Sequence, residues 1–387
     1  MSSVASQQVS LEKRVPFTDT RQQSFLQKRV ASIDALRGFD MFWITGGEEI
    51  IRALHRVSPG PTTNLLNTQF QHVRWAGFHF YDLIFPLFLF VVGVVLPFSV
   101  TKRLEAGASR GQVYRHLIRR LVLLFALGLL YNGLLDFDFQ QLRLAGVLQR
   151  IALCYFFAAL IVMNTNIRGQ IAFFAGILLA YWAVMMLVPV PGAGSGVLTP
   201  DGNLASFIDR HLLPRPYCCF AQGDNEGILS TFPAIATTLL GVLAGQWLRS
   251  KNTPNRKTAG LAIAGGATLL AGFLWSLNFP MIKNLWTSSF VLFAGGWSLL
   301  LLAIFYWIID VKGYKRWAFF FTVIGVNAIT IYLVSQLFDF GTVTTIFVHG
   351  FINKLGAIQP LFWAASVMMT GWLFLYFLYR QKIFLKV

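Results

Sequence analysis

Charge is scarce in this chain. Only 12% of its 387 residues are Asp, Glu, Lys or Arg, against about 25% in a typical soluble domain. That excludes an ordinary water-soluble surface. Cysteine is scarcer still. Of the three, Cys154 sits in an apolar run, while Cys218 and Cys219 are adjacent, which strains any bond between them. A disulfide framework is therefore excluded. No HExxH or CxxC spacing occurs, so no metal site is expected. No serine nucleophile elbow is read, which leaves a serine triad unsupported. The first 29 residues are polar and basic without an apolar core, so no cleaved signal peptide is expected there. They read as a flexible cytoplasmic tail (1–29), with one membrane domain (30–387) after it.

Apolar residues are what the chain has in abundance: 56% of the total, with 37 Phe and 11 Trp. Runs of about 20 apolar residues, long enough to cross the hydrocarbon core, recur throughout. The pattern is that of an all-α, polytopic integral membrane protein. About ten spans are expected, near 34–55, 82–100, 117–134, 145–164, 170–188, 228–248, 258–277, 286–309, 317–338 and 359–379. Residues 339–358 are shorter and broken by glycine, and read as an outer re-entrant or interfacial segment.

The net charge of +16 would in a soluble protein suggest nucleic acid. In a membrane protein, Lys and Arg collect in the cytoplasmic loops instead, so no nucleic-acid partner is expected. Of the 32 basic residues, 22 fall in segments read as inner and eight in segments read as outer, with Arg37 and Arg150 inside spans. Both termini are thereby placed in the cytoplasm, and the long loops 56–81 and 189–227 outside. Helical spans imply the inner (cytoplasmic) membrane, or an organelle membrane in a eukaryote, with lipid around them.

The chain is organised around residues 72–99, HVRWAGFHFYDLIFPLFLFVVGVVLPFS. A polar, aromatic outer loop holding His72, Trp75 and His79 runs through Asp82 into an apolar span. Histidine gains and loses a proton near neutral pH, so His72 is a candidate base or nucleophile at the mouth of that span. His79 reads as an interfacial residue among aromatics.

Ionisable groups inside spans are costly and are functional hypotheses by default. The first span carries Asp34, Arg37, Asp40, Glu48 and Glu49. The i,i+3 spacings of Asp34, Arg37 and Asp40 put them on one face. They form either a self-neutralising anchor or a site where Arg37 meets an anion from the cytoplasm, beside Arg115, Arg119 and Arg120. Guanidinium suits phosphate through two parallel hydrogen bonds. Glu48 lies about 21 Å further along the helix, near the depth of Asp82. Arg150 belongs to the same outer layer. These groups either converge with His72 or form a structural Arg150–Asp82 or Arg150–Glu48 ion pair. Breaks at Pro86, Gly93, Pro97 and Pro233 are expected to open backbone groups onto a cavity.

The blocks RVASIDALRGFDMFWITGG and HVRWAGFHFYDLIFPLFLFVVGVVLPFS, then GVLQRIALCY, NEGILSTFPAIATTLLGVLAG, KNLWTSSFVLFAGG and GVNAITIYLVS, occur in that order over residues 30–338. In them the chain resembles the heparan-α-glucosaminide N-acetyltransferase family and its bacterial relatives. The resemblance implies transmembrane acetylation, with acetyl-CoA bound from the cytoplasmic side and a terminal glucosamine amine as acceptor. It implies that His72, in the H-x-x-W-x-G block, is catalytic, that Asp82 supports it, and that a homodimer forms. By charge and side, Arg37, Arg115, Arg119 and Arg120 are the candidates for the CoA phosphates, and Asn327 for the pantetheine or the oxyanion. Glu48, Trp75, Arg150 and Glu226 are the candidates for the acceptor side. The family's Y-D-P-E-G is here GDNEG, which keeps Glu226 and Gly227, and the preceding loop reads RPYCCF. The acceptor is therefore expected to be an envelope or scavenged amino sugar or glycan. The alternatives are an O-acyltransferase of an envelope glycan, or a secondary transporter or flippase of an amphipathic anion.

Overall fold

The computed structural model describes residues 30–220 and 223–385. The expected tail, 1–29, lies outside the described residues. From Ala31 onward the chain forms a single compact unit.

That unit is built of helices. Helix α1 (Ala31–Phe42) passes through a wide turn, Trp43–Gly47, into α2 (Glu48–Val57), and α3 (Pro61–Gln69) follows in the outer loop. Gly46, at φ 132°, makes the kink between α1 and α2. A 3₁₀ turn, Phe80–Leu83, leads into α4 (Ile84–Leu96); then come α5 (Arg110–Tyr131), α6 (Val147–Asn164) and α7 (Ile167–Leu187). The loop expected at 189–227 contains the short helix α8 (Leu204–Leu212) and a two-stranded antiparallel hairpin, β1 (Cys219–Phe220) and β2 (Gly223–Asp224). The chain continues with α9 (Ile228–Arg249), α10 (Pro254–Ser276), α11 (Ser288–Tyr306), α12 (Ala318–Val326), α13 (Ala328–Leu337), α14 (Phe340–Ile352) and α15 (Gln359–Arg380). Side-chain caps set several starts: Ser109, Asn166, Asn203 and Thr253 each accept a first-turn N–H.

Among the described residues, seven helices are long and apolar enough to cross a membrane, or eight if α12 and α13, bent by 72°, are one span. The chain is thus an all-α polytopic membrane protein. Each of the ten expected spans is helical, but three differ in character from a plain apolar crossing, the ninth being the bent pair α12 and α13. The first is interrupted at Thr45 and Gly46. The third, α5, carries Arg110, Arg115, Arg119 and Arg120 in its first half. Helix α14, at 13 residues, is about 20 Å long, too short to cross a core about 30 Å thick.

The helix ends sort into two sets. Segments read as outer contact one another: Ala76 bridges Ile282, Trp75 donates to the Leu198 carbonyl, and Arg143 pairs with Asp224. Segments read as inner do likewise: Arg249 reaches Glu105 and the Pro97 carbonyl, and Arg110 the Met163 carbonyl. Alternation of the spans requires this grouping.

At the centre, α4 packs against α9. Gly93 is the contact rather than a break. A Cβ there would lie 2.0 Å from the Thr238 carbonyl oxygen, and one on Gly241 2.0 Å from that of Phe90. Lipid supplies little hydrophobic drive between spans, so close backbone approach through small residues holds them together. The break falls at Pro97, which opens a wide turn, Pro97–Thr101, while Pro86 and Pro233 sit inside continuous helix.

Candidate active site

The loop between α3 and α4 is held at three places. Phe70 and Phe80, at its two ends, meet at 5.0 Å and both pack on Trp43. Gly77, at φ 129°, turns the chain so that its N–H reaches the Met281 carbonyl at 2.9 Å. Trp75 packs edge-on to Phe220 and donates its indole N–H to Leu198 at 2.8 Å. Trp75 is therefore the pin between this loop and the long outer loop.

Within that frame His72 is half exposed and Asp82 fully buried, with His72 Nδ1 2.7 Å from Asp82 Oδ1. The second carboxylate oxygen accepts the N–H of His79 at 3.0 Å and that of Val73 at 3.4 Å. A carboxylate only accepts, so a neutral imidazole that donates to Asp82 carries its hydrogen on Nδ1 and has its lone pair on Nε2. The contact with Asp82 favours that tautomer. Tyr81 packs at a tilt on His72 with ring centroids 4.7 Å apart. Glu48 and Glu49 both pair with Arg52. His79 turns its own Nδ1 to the Gln71 carbonyl at 2.8 Å.

Lys283 completes the cluster, and sequence reasoning passed over it. Its Nζ is 2.9 Å from His72 Nδ1, 3.1 Å from Nε2 and 3.5 Å from Asp82 Oδ1. Burial pushes the Lys283 ammonium below its ordinary pKa, and Asp82 and Glu226 pull it back up. The available signal was position: Lys283 opens the KNLWTSSF block. Nothing in its spacing linked it to a histidine 211 residues away.

A second cluster lies beside the first. Arg143 pairs with both Asp224 and Glu226, which raises its pKa despite burial. Asp209 accepts the N–H groups of Asp224 and Ile228 and holds the GDNEG turn, and burial raises its pKa. Gly227 is required there, since a Cβ would sit 2.0 Å from an Asp209 oxygen. Arg150, 1% exposed, donates to Ser230 and to the Gly227 carbonyl and lies over Trp286 at 5.0 Å. Its Nε and Nη1 have no partner among the described residues. The alternative of a structural pair with Asp82 or Glu48 is thus not what forms.

The residues expected toward the cytoplasm are spread over several helices. Arg37 pairs with Asp34 and donates to the Gly325 carbonyl at 2.6 Å, two residues before Asn327. Asn327 breaks α12 from α13, is 2% exposed, and both polar atoms of its amide lack a partner among the described residues. The same holds for both carboxyl oxygens of Asp40. On α5, Arg115 and Arg119 are exposed, while Arg120 lies over Tyr155 at 4.0 Å. The run Gly107–Gly111 spells GxSxG, but Ser109 caps α5 by accepting from Gln112, with no strand before it. It is not a nucleophile elbow. Cys154 is buried and free, and Cys218 is disulfide-bonded. No group of three or more His, Cys, Asp or Glu side chains fit to hold a metal occurs among the described residues.

Comparison with known proteins gives a consistent result. Residues 29–277 match the family model described as heparan-alpha-glucosaminide N-acetyltransferase, catalytic. The chain is 28% identical over 379 residues to the Homo sapiens protein of that name, covering 82% of this chain and 56% of the relative. Against the Mus musculus protein it is 27% identical over 331 residues, covering 70% and 49%. The chain spans about half the length of these curated relatives.

Proposed function

From the premise that this chain belongs to the heparan-alpha-glucosaminide N-acetyltransferase family, we propose that it moves an acetyl group from cytoplasmic acetyl-CoA to the amino group of a glucosamine-type sugar on the outer side of the inner membrane. The observation that carries this reading is the His72 Nδ1–Asp82 Oδ1 contact of 2.7 Å, with Asp82 fully buried. An amine attacks a thioester carbonyl only when unprotonated, so the reaction needs a base with a free lone pair. His72 Nε2 is that group, held in one tautomer by Asp82. The same nitrogen is also placed to accept the acetyl group and pass it on.

Other groups take supporting parts. The acceptor sits at the outer mouth, bounded by Glu48, Trp75 and the Arg143–Glu226 cluster. Arg150 and Asn327 present polar hydrogens that lack partners among the described residues, and unpaired buried donors stabilise a carbonyl or an oxyanion that arrives with the donor. Arg115, Arg119 and Arg120 offer charge to the CoA phosphates at the inner end. Arg37, already held by Asp34, contributes there mainly by positioning the helix break at Asn327.

The test is CoA release from acetyl-CoA by detergent-purified protein, with and without glucosamine, beside His72→Ala. Amine-dependent release that falls at least ~10²-fold in the variant is expected, as for loss of a general base. Equal release from both proteins would clear His72 of the chemistry. No release with any amino sugar or glycan acceptor would refute the acetyltransferase reading.

A further inference from the structure

Lys283 lies six residues beyond the stretch that matches the family model, and the charge balance around Asp82 gives it a part in the chemistry. One fully buried carboxylate faces both an imidazole and an ammonium group. With His72 neutral and Lys283 protonated, the three groups carry no net charge. If His72 takes a proton while Lys283 keeps all of its own, two cations lie about 3 Å apart beside one anion. In a partly desolvated site that repulsion is large. Proton gain at His72 is therefore coupled to proton loss at Lys283.

We propose, resting on the acetyl-transfer reading, that Lys283 is the acid of the transfer and protonates the departing sulfur of the thioester as His72 takes the proton of the attacking amine. The N–C bond forms and the C–S bond breaks. The sulfur leaves as a neutral thiol with a proton from Lys283 Nζ. The proton gained by His72 then passes to Lys283 over the 3.1 Å between Nε2 and Nζ, which restores the starting state. Amine plus thioester becomes amide plus thiol, with no other reactant.

Two observations support an acid here rather than a fixed charge. Burial already disfavours the charged form of Lys283, so release of a proton is within its reach, and Glu226 is the further anion acting on it. The turn that carries it is also firmly held. Ile282 bridges Ala76, and Thr287 Oγ1 accepts the Ile282 N–H at 3.0 Å while donating to the Pro280 carbonyl at 2.8 Å. Trp286, three residues after Lys283, holds φ 53°, which L side chains rarely adopt and which recurs at functional sites.

The experiment compares wild type with Lys283→Met and Lys283→Arg, using acetyl-CoA and an activated aryl thioester, phenyl thioacetate, as donors with glucosamine. Arginine keeps the charge but does not give up its proton. Both variants are expected to lose about 10²–10⁴-fold in kcat with acetyl-CoA, with unchanged KM for the donor. With the aryl thioester, whose thiolate leaves unaided, both are expected to stay within about tenfold of wild type. Near-normal turnover of acetyl-CoA by Lys283→Arg would show that charge suffices and overturn the proposal. An equal loss on both donors would overturn it too, by placing Lys283 behind His72 as a positioning residue. A wild type silent with both donors would instead bring down the acetyl-transfer reading itself.

Discussion

Replacing Asp82 by Asn tests the site most directly, because the change is nearly isosteric and removes only the charge and one acceptor oxygen. In the native protein the carboxylate takes His72 Nδ1 at 2.7 Å, His79 N at 3.0 Å and Val73 N at 3.4 Å, with Lys283 Nζ at 3.5 Å. An asparagine keeps one carbonyl oxygen, which cannot serve both the imidazole and the two backbone donors. If the carbonyl turns to the backbone, its NH2 faces Nδ1, and the imidazole must move its hydrogen to Nε2. The nitrogen that should accept the amine's proton is then a donor. A loss of correct tautomer belongs with the larger effects of acid–base catalysis, about 10³–10⁴-fold in kcat. Stability falls less: one hydrogen bond to a charged group contributes about 1.5–3 kcal/mol, and Lys283 limits the further loss by shedding its proton. The assay is thiol release from acetyl-CoA at saturating glucosamine, with a thermal unfolding curve in the same detergent. Turnover within threefold of wild type by a folded Asp82→Asn protein would refute the argument that Asp82 fixes the working state of His72.

Three further outcomes follow from the geometry. Gly93→Ala places a methyl group 2.0 Å from the Thr238 carbonyl oxygen, whereas Gly176→Ala meets nothing within 4 Å; the first should lower the unfolding midpoint by an amount equivalent to at least about 1–3 kcal/mol and the second should not. Arg143→Met leaves Asp224 and Glu226 without their shared cation, a loss of about 3–5 kcal/mol for a buried pair broken on one side, read as earlier unfolding and faster proteolysis of the 189–227 loop. Asn327→Leu removes an amide with no partner among the described residues, so stability should hold within about 1 kcal/mol while KM for acetyl-CoA rises at least tenfold; an unchanged KM would remove Asn327 from the donor site.

Much of this protein was legible along the chain because the bilayer constrains it so strongly. A helix in hydrocarbon must be long, apolar and internally hydrogen-bonded, so the segments and their order could be read from runs of Phe, Leu and Val. Position at the edge of an apolar run made His72 a candidate, but its catalytic part and that of Asp82 were read from the family resemblance. The sorting of Lys and Arg was legible as well, since it depends on composition rather than contact.

What the tertiary structure decided is which side chains meet across long separations. Lys283 reaches His72 because Ala76 and Ile282 pair their backbones, and no periodicity encodes that. Arg150 lies over Trp286 instead of pairing with an acid, and Trp75 faces the Leu198 carbonyl. Gly93 proved to be a packing contact because a missing side chain means either flexibility or closeness, and only the neighbouring helix distinguishes the two. Hydropathy and charge are properties of single residues, so one sequence carries them. The meeting of His72, Asp82 and Lys283 is a property of the packed structure, and only the packed helices bring the three groups there.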